Sequence, residues 1–353
     1  MRILFAATAA TLALATTTLA QEPEAPAPSP GEIVNAAPQD EWVVIDPEDL
    51  VVMTLPPLAD GSERKVVMQL IGEPFSQGWV ENIRTLARSE YWDGSEILRV
   101  QDNYVVQWGR PDPEMGVEPK PVPEGLNVMP ESEYVANRTR EQARALRDSS
   151  ALFHARAGDR FNEFCEGDGE LKPGWNIRKC SGFNLSLADV HGMISVGFEQ
   201  GWPIGATINW DQVWPVHCYG MVGVGRGMSP DTGDGSQLYT VIGHAPRHLD
   251  RNIAVVGRIV DGIEHLSSLP RGKGALGFYE DPAKRVPIVS VRMAAELPAS
   301  EMPRFEYLST ESDSFAAYAD ARANRRDPFF IQPAGGADIC NIPVPVRRAG
   351  ERQ

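Results

Sequence analysis

Few residues of this 353-residue chain stand where type and spacing could support familiar bond-breaking chemistry. Asp231-Thr232-Gly233 has the form of an aspartic-protease triplet. That reaction needs two carboxylates facing one another, and there is no second copy. The run Asp231 to Gly235 suggests a calcium loop, but its spacing departs from the EF-hand pattern and no Glu closes it. Gly223-Val224-Gly225-Arg226-Gly227 lacks the surrounding βαβ unit of a dinucleotide site. His244 and His248 are separated by Pro246, which opposes the helix needed to present both to a metal. His191 and His217 read as structural histidines. What remains is Arg99, a permanent cation with several donors, with Gln107, Tyr104 and Val105 close behind it in sequence.

The elements that must position these residues are mostly strands. Asp49–Leu55 reads as a strand ended by Pro56-Pro57. Asp60-Gly61 is a hairpin turn signal, and Lys65–Ile71 is the return strand. Ser76 is placed to cap a helix running to about Tyr91, with Trp79, Val80, Ile83, Leu86 and Ala87 on one face. Strands follow at Glu96–Val100 and Tyr104–Trp108. Strand signals resume at His217–Arg226, Leu238–Gly243, Ile253–Val260 and Val286–Met293, with a short helix over Asp261–Leu269. Eight short antiparallel strands with apolar alternation imply a closed barrel. Between them, about 112–216 reads as a partly helical insertion, with helices over Ser132–Ala157 and Leu187–Glu199. A further helix is predicted near Ser312–Ala323.

Residues 1–20 follow the layout of a secretory signal peptide, with cleavage after Ala20. Residues 21–42 are rich in Pro, Ala and Glu and read as a disordered leader. The folded part then spans 43–297, and 298–353 is a C-terminal extension. The apolar run at the start is too short for a good membrane span, so no stable membrane insertion is expected. The net charge of −15 opposes nucleic-acid binding. Export permits disulfides. The Gly/Pro loop between Cys165 and Cys180 favours their pairing, leaving Cys218 with Cys340. A zinc site is the rival arrangement, but no CxxC pair is present.

Four segments, in order, resemble the cyclophilin family. Glu96-Ile97-Leu98-Arg99-Val100 with Asn103–Gly109 resembles the "Phe-His-Arg-Val/Ile … Gly-Phe-Met-x-Gln-Gly-Gly-Asp" signature. Tyr219–Arg226 resembles "Gly-x-Leu-Ser-Met-Ala", and Gly235–Tyr239 "Gly-Ser-Gln-Phe-Phe". His248–Ile259 resembles "Trp-Leu-Asp-Gly-x-x-x-Val-Phe-Gly-x-Val". The resemblance covers 43–111 and 217–294. It implies a mainly β protein, an eight-stranded antiparallel barrel with two capping helices, and peptidyl-prolyl cis-trans isomerase activity on proline-containing polypeptides; the signal peptide makes these exported polypeptides and the expected location the periplasm.

Rotation about a peptide C–N bond faces a barrier of ~18–20 kcal/mol because the nitrogen lone pair is delocalised into the carbonyl. A cation donating to that nitrogen stabilises the twisted amide more than the planar one. No covalent step, metal or cofactor is required. By resemblance, Arg99 is that cation and Gln107 holds it and the substrate backbone. Tyr104, Val105, Tyr239 and Leu249 line a proline pocket. Arg226, flanked by Gly225 and Gly227, pairs with the substrate as a strand would. Ser236 and Gln237 shape the neighbouring wall. Departures from the family are Leu98 for His, His248 for Trp and Ile253 for a pocket His. A catalytically weak or inactive barrel that only binds proline segments or folding clients is the competing reading. Oligomeric state is left open.

Overall fold

The computed structural model describes residues 26–111, 118–147, 194–207 and 209–350. Residues 1–20, where a signal peptide is expected, and Cys165, Cys180 and His191 lie outside them. Helix α1 (Pro30–Ala36) and strand β1 (Trp42–Val44) come first. Next are β2 (Leu50–Leu55), β3 (Arg64–Leu70), α2 (Gln77–Arg88), β4 (Glu96–Val100) and β5 (Val105–Gly109). The inserted region holds β6 (Ala136–Asn137), α3 over 140–147, β7 (Ile194–Glu199), β8 (Trp202–Thr207) and β9 (Gln212–Pro215). The chain then forms β10 (Met221–Val224), β11 (Gln237–Val241), β12 (Val255–Asp261), α4 (Glu264–Ser267), β13 (Val286–Pro287) and β14 (Ser290–Met293). Finally come β15 (Phe305–Leu308), α5 (Asp313–Ala323) and β16 (Val346–Arg348).

The main sheet is antiparallel, in the order β13-β4-β5-β11-β10-β12-β3-β2-β14. Its edges meet on one segment, because β13 pairs with β4 while β14, two residues on, pairs with β2. The Ile288 and Val289 N–H groups donate to the Ser95 and Thr54 carbonyls, at 2.7 and 2.9 Å. Nine ladder strands thus stand where eight are predicted, the segment over 286–293 being bent into two halves. The interior is apolar: Val51, Met53, Met68, Trp92, Trp108 and Leu238 surround a cavity of only ≈ 20 Å³. That is room for about one water, so a peptide must bind outside.

Helix α2 buries Trp79, Val80, Ile83, Leu86 and Ala87 completely, the face its periodicity predicts. Its start differs from the expectation. Ser76 has a left-handed backbone (φ 54°) and its side chain makes no cap. Gln77 Nε2 instead donates to the carbonyls of Ile71 (3.1 Å) and Phe75 (2.7 Å). Helix α4 is shorter than the predicted 261–269, because β12 continues to Asp261.

The insertion is less helical than predicted. Ile194–Glu199 is a strand, not the end of a helix over Leu187–Glu199, and a four-stranded sheet runs β6-β9-β8-β7. The cause is the two-residue turn Gln200-Gly201, both with positive φ (49° and 82°), which matches the twist of a hairpin. Of the helix predicted over Ser132–Ala157, a 3₁₀ turn, β6 and α3 occupy the described part.

The leader expected to be disordered over 21–42 is ordered from Pro30. Ser29 and Glu32 form a reciprocal capping box, and Val34 joins the main core. Strands β1, β15 and β16 form a three-stranded sheet that joins the leader to the C-terminal extension. Arg347 locks it: its guanidinium lies 3.7 Å from the Trp42 ring centre and donates to Glu306 (2.6 Å) and Gln39 (2.7 Å). The expected Cys218–Cys340 disulfide is present, fastening the extension beside β10. Arg258 of β12 is buried where three sheets meet. It donates to Gln69 and to the Gly201 carbonyl and lies against Trp202 and Tyr307. Burial pushes its guanidinium down to about 10.

Among the described residues no helix is long and apolar enough to cross a membrane.

Candidate active site

Strand alternation sorts side chains between the two faces of the barrel. Val106, Trp108 and Leu238 belong to the interior core, whereas Val105, Tyr239 and Val241 form a separate apolar cluster on the outer face. Tyr104, Leu249 and Ile253 pack against that cluster. Five residues predicted to line a proline pocket (Tyr104, Val105, Tyr239, Leu249 and Ile253) therefore come together, with Val241 added.

One rung of the sheet crosses this face. Arg99 is opposite Gln107, Gln107 opposite Tyr239, and Tyr239 opposite Gly223. A register shift between Ile97 and Arg99 marks a bulge at Leu98. Ile97 and Leu98 are both buried while Arg99 is half-buried, so the bulge re-aims the arginine outward. Arg99 Nη1 donates to Gln107 Oε1 at 2.9 Å, Nε to the Leu276 carbonyl at 2.6 Å, and Nη2 to Gln101 Oε1. The Tyr104 and Phe278 rings flank it, with centres at 5.7 and 5.5 Å. Such contacts fix the guanidinium plane beside the apolar cluster. Among the described residues, the loop around 276–278 supplies cover over Arg99. Leu276 has a left-handed backbone (φ 53°), which turns its carbonyl toward Arg99.

His248 is exposed and stacks on Tyr104 (6.3 Å, 10° between planes). Arg226 is held beyond the end of β10. Its Nε donates to the Asn252 carbonyl (2.9 Å) and Nη1 to that of Gly227 (2.8 Å). The Gly225 N–H still donates to the Gln237 carbonyl of β11 at 2.8 Å, and the chain leaves the ladder after it. Gln237 Nε2 donates to the Arg110 carbonyl at 2.8 Å. Ser236 is buried, and its hydroxyl turns back to Asp234 (2.6 Å) rather than lining the groove.

Beneath the cluster lies a buried polar chain. Tyr239 Oη is 2.9 Å from His217 Nε2, His217 Nδ1 is 2.9 Å from Asp250 Oδ1, and Arg247 Nε donates to Asp250 Oδ2 at 2.6 Å. Burial alone would raise the Asp250 carboxyl, but His217 and Arg247 outweigh it and hold it below its ordinary value. An ionised carboxylate only accepts, so His217 Nδ1 carries a proton; in the neutral imidazole Nε2 is then the acceptor for the Tyr239 hydroxyl. Burial pushes the Tyr239 phenol far up, so its hydroxyl keeps its proton.

The family described as "Cyclophilin type peptidyl-prolyl cis-trans isomerase/CLD" matches residues 78–293. The chain belongs to this cyclophilin family. The crystal structure of cyclophilin AquaCyp293 from Hirschia baltica resembles it with a TM-score of 0.56 at 19% identity, over 88% of this chain and 95% of that one. That likeness speaks for the fold alone. A Cryptosporidium parvum cyclophilin type peptidyl-prolyl cis-trans isomerase, crystallised in the presence of dipeptide ala-pro, is 12% identical. It has a TM-score of 0.33, over 69% of this chain and 97% of that one, and carries no argument. No curated protein matches.

Measured against the cyclophilin resemblance, the sequence reading missed Gln101, Val241, Leu276, Phe278 and the chain His217–Asp250–Arg247. Val241 was open to discovery from its alternation with Tyr239. Leu276 and Phe278 lie about 180 residues from Arg99, and no local pattern points to them.

Proposed function

We propose that this cyclophilin catalyses cis-trans rotation about X-Pro bonds in exported polypeptides. The observation that supports it is the Arg99 guanidinium, held by Gln107 at the edge of the outer apolar cluster. A proline ring seated on Val105, Tyr239, Val241 and Leu249 brings its amide nitrogen toward Arg99. As the bond twists, the nitrogen lone pair is released and accepts from the cation, an interaction the planar amide cannot match. Gln107 keeps the guanidinium from following solvent, so reorganisation is small. The segment over 225–227 offers backbone for a strand-like contact with the substrate. Rotation needs no bond cleavage, so no nucleophile or metal is required. The Cys218–Cys340 disulfide supports an oxidising, extracytoplasmic setting.

A proline-binding module without useful turnover is the second reading. The Leu276 carbonyl and Phe278 ring favour it, because both already engage the cation that the amide nitrogen would need. The deciding experiment is proline isomerisation of a short X-Pro peptide by the wild type and by Arg99→Ala. The isomerase reading expects acceleration by the wild type and a loss of about ten- to a hundredfold in kcat/KM in the variant, the worth of one charge-assisted hydrogen bond. A folded wild type that binds the peptide without accelerating exchange overturns it.

A further inference from the structure

Tyr239 is unusual for the floor of an apolar groove, because it carries a hydroxyl that must be satisfied in a buried place. Its ring crosses the sheet above Gly223, where a Cβ would collide with the phenol oxygen. Gly223 thus opens the passage through which the hydroxyl reaches His217. The imidazole stacks nearly parallel to the phenol ring (10°, centres 6.3 Å apart). Asp250 Oδ1 accepts from both the Nδ1 and the backbone N–H of His217, each at 2.9 Å. Asp250 is braced in turn by Arg247, and all four residues are buried. Arg247 and Asp250 flank His248 and Leu249, the rim and wall of the same groove. On the other side, Cys218, next to His217, is covalently tied to Cys340. The polar chain therefore joins the groove floor (Tyr239) to the loop that forms its wall.

We propose that His217, Asp250 and Arg247 are positioning residues: they hold the Tyr239 ring in one rotamer and in fixed register with the 248–249 loop, so that affinity for the proline ring depends on a buried hydrogen-bonded chain below it. This rests on the groove reading of the preceding section. Seating of a proline ring is shared by the ground and twisted states, so weakening this support acts on KM more than on kcat. Loss of Arg99 acts on kcat.

The test uses the full chain. Tyr239→Phe removes only the hydroxyl, and His217→Gln keeps an acceptor for the phenol and a donor for Asp250. Kinetics on an X-Pro tetrapeptide and its Kd by calorimetry are measured alongside the nitrogen NMR signals of the His217 ring. The expected result is His217 protonated at Nδ1, with an Nε2 signal that shifts in Tyr239→Phe. KM and Kd should rise about three- to tenfold in Tyr239→Phe, the worth of one neutral hydrogen bond, and should be restored toward wild type in His217→Gln relative to His217→Ala. KM and Kd unchanged within twofold in a folded Tyr239→Phe, or an Nε2-protonated His217, overturns the proposal. A wild type that binds the peptide but does not turn it over removes the isomerase reading alone, and the Kd comparison still decides this one. A wild type that neither binds nor turns over the peptide overturns both.

Discussion

Arg99 and Gln107 face each other across adjacent strands, and the amide oxygen of the glutamine accepts from the guanidinium at 2.9 Å. Gln107 is buried, whereas Arg99 is only half-buried. The neutral amide is thus a fixed anchor for a cation at the groove edge. Gln107→Leu should lower kcat/KM about three- to tenfold, with most of the change in kcat, since one hydrogen bond that orients Arg99 is lost. Steady-state kinetics check this, and an effect confined to KM contradicts it.

The Phe278 ring centre lies 5.5 Å from the same guanidinium, as the Tyr104 ring does at 5.7 Å. Phe278→Ala is expected to reduce kcat/KM about two- to fivefold, in line with an exposed cation–π contact. A rise in kcat instead would mean that the loop around 276–278 obstructs the site, as the binding-module reading requires.

Acid stability should report on Asp250. Its folded carboxyl lies below its unfolded value. Its stabilising contribution is therefore complete above about pH 4, near the unfolded carboxylate value, and is lost as pH falls through the folded value. Asp250→Asn should flatten this acid limb of the unfolding curve. Asp250→Ala, which leaves Arg247 and His217 buried without their acceptor, should cost about 3–5 kcal/mol at neutral pH. Denaturant melts at several pH values measure both.

Arg258 is buried without a carboxylate partner among the described residues, between Trp202 and Tyr307. Arg258→Ala should destabilise by about 2–4 kcal/mol through the space it leaves. Arg258→Met fills that space without a charge to desolvate and should lose much less. Equal losses in the two variants would assign its role to the charge rather than to packing.

Cys340→Ser should lower stability by about 2–4 kcal/mol. A peptide map of the unreduced protein should contain the Cys218–Cys340 pair. The same map reads out the proposed Cys165–Cys180 pair.

Where a residue's role depends on its strand neighbours, the sequence was informative. In a strand over Tyr104–Trp108 the alternation is what sets Val105 and Gln107 opposite Val106 and Trp108, and the helical face of α2 follows from Trp79, Ile83 and Leu86. The Cys218–Cys340 pair was legible by elimination. Residues joined across long separations were not legible. His217 meets Asp250 and Tyr239 only because the segment before β10, the middle of β11 and the loop before β12 converge, and its isolated position suggests nothing but a structural role. The inserted hairpin was misread because a strand bounded by Gln200-Gly201 carries its turn signal in a left-handed Gln. The ordered leader was misread because composition weighs Pro, Ala and Glu but not a partner near the other end of the sequence.

The sheet β1-β15-β16 joins residues 42–44 to residues 305–308 and 346–348. During synthesis the barrel strands up to β14 emerge while Trp42–Val44 still present an unpaired strand edge, with Val43 and Val44 on the surface. That edge is a template for pairing with another chain until β15, its strand partner, has been made. Completion of the fold therefore waits for Arg347 to come down over Trp42, and an interrupted or shortened chain would be the species most prone to associate through this edge.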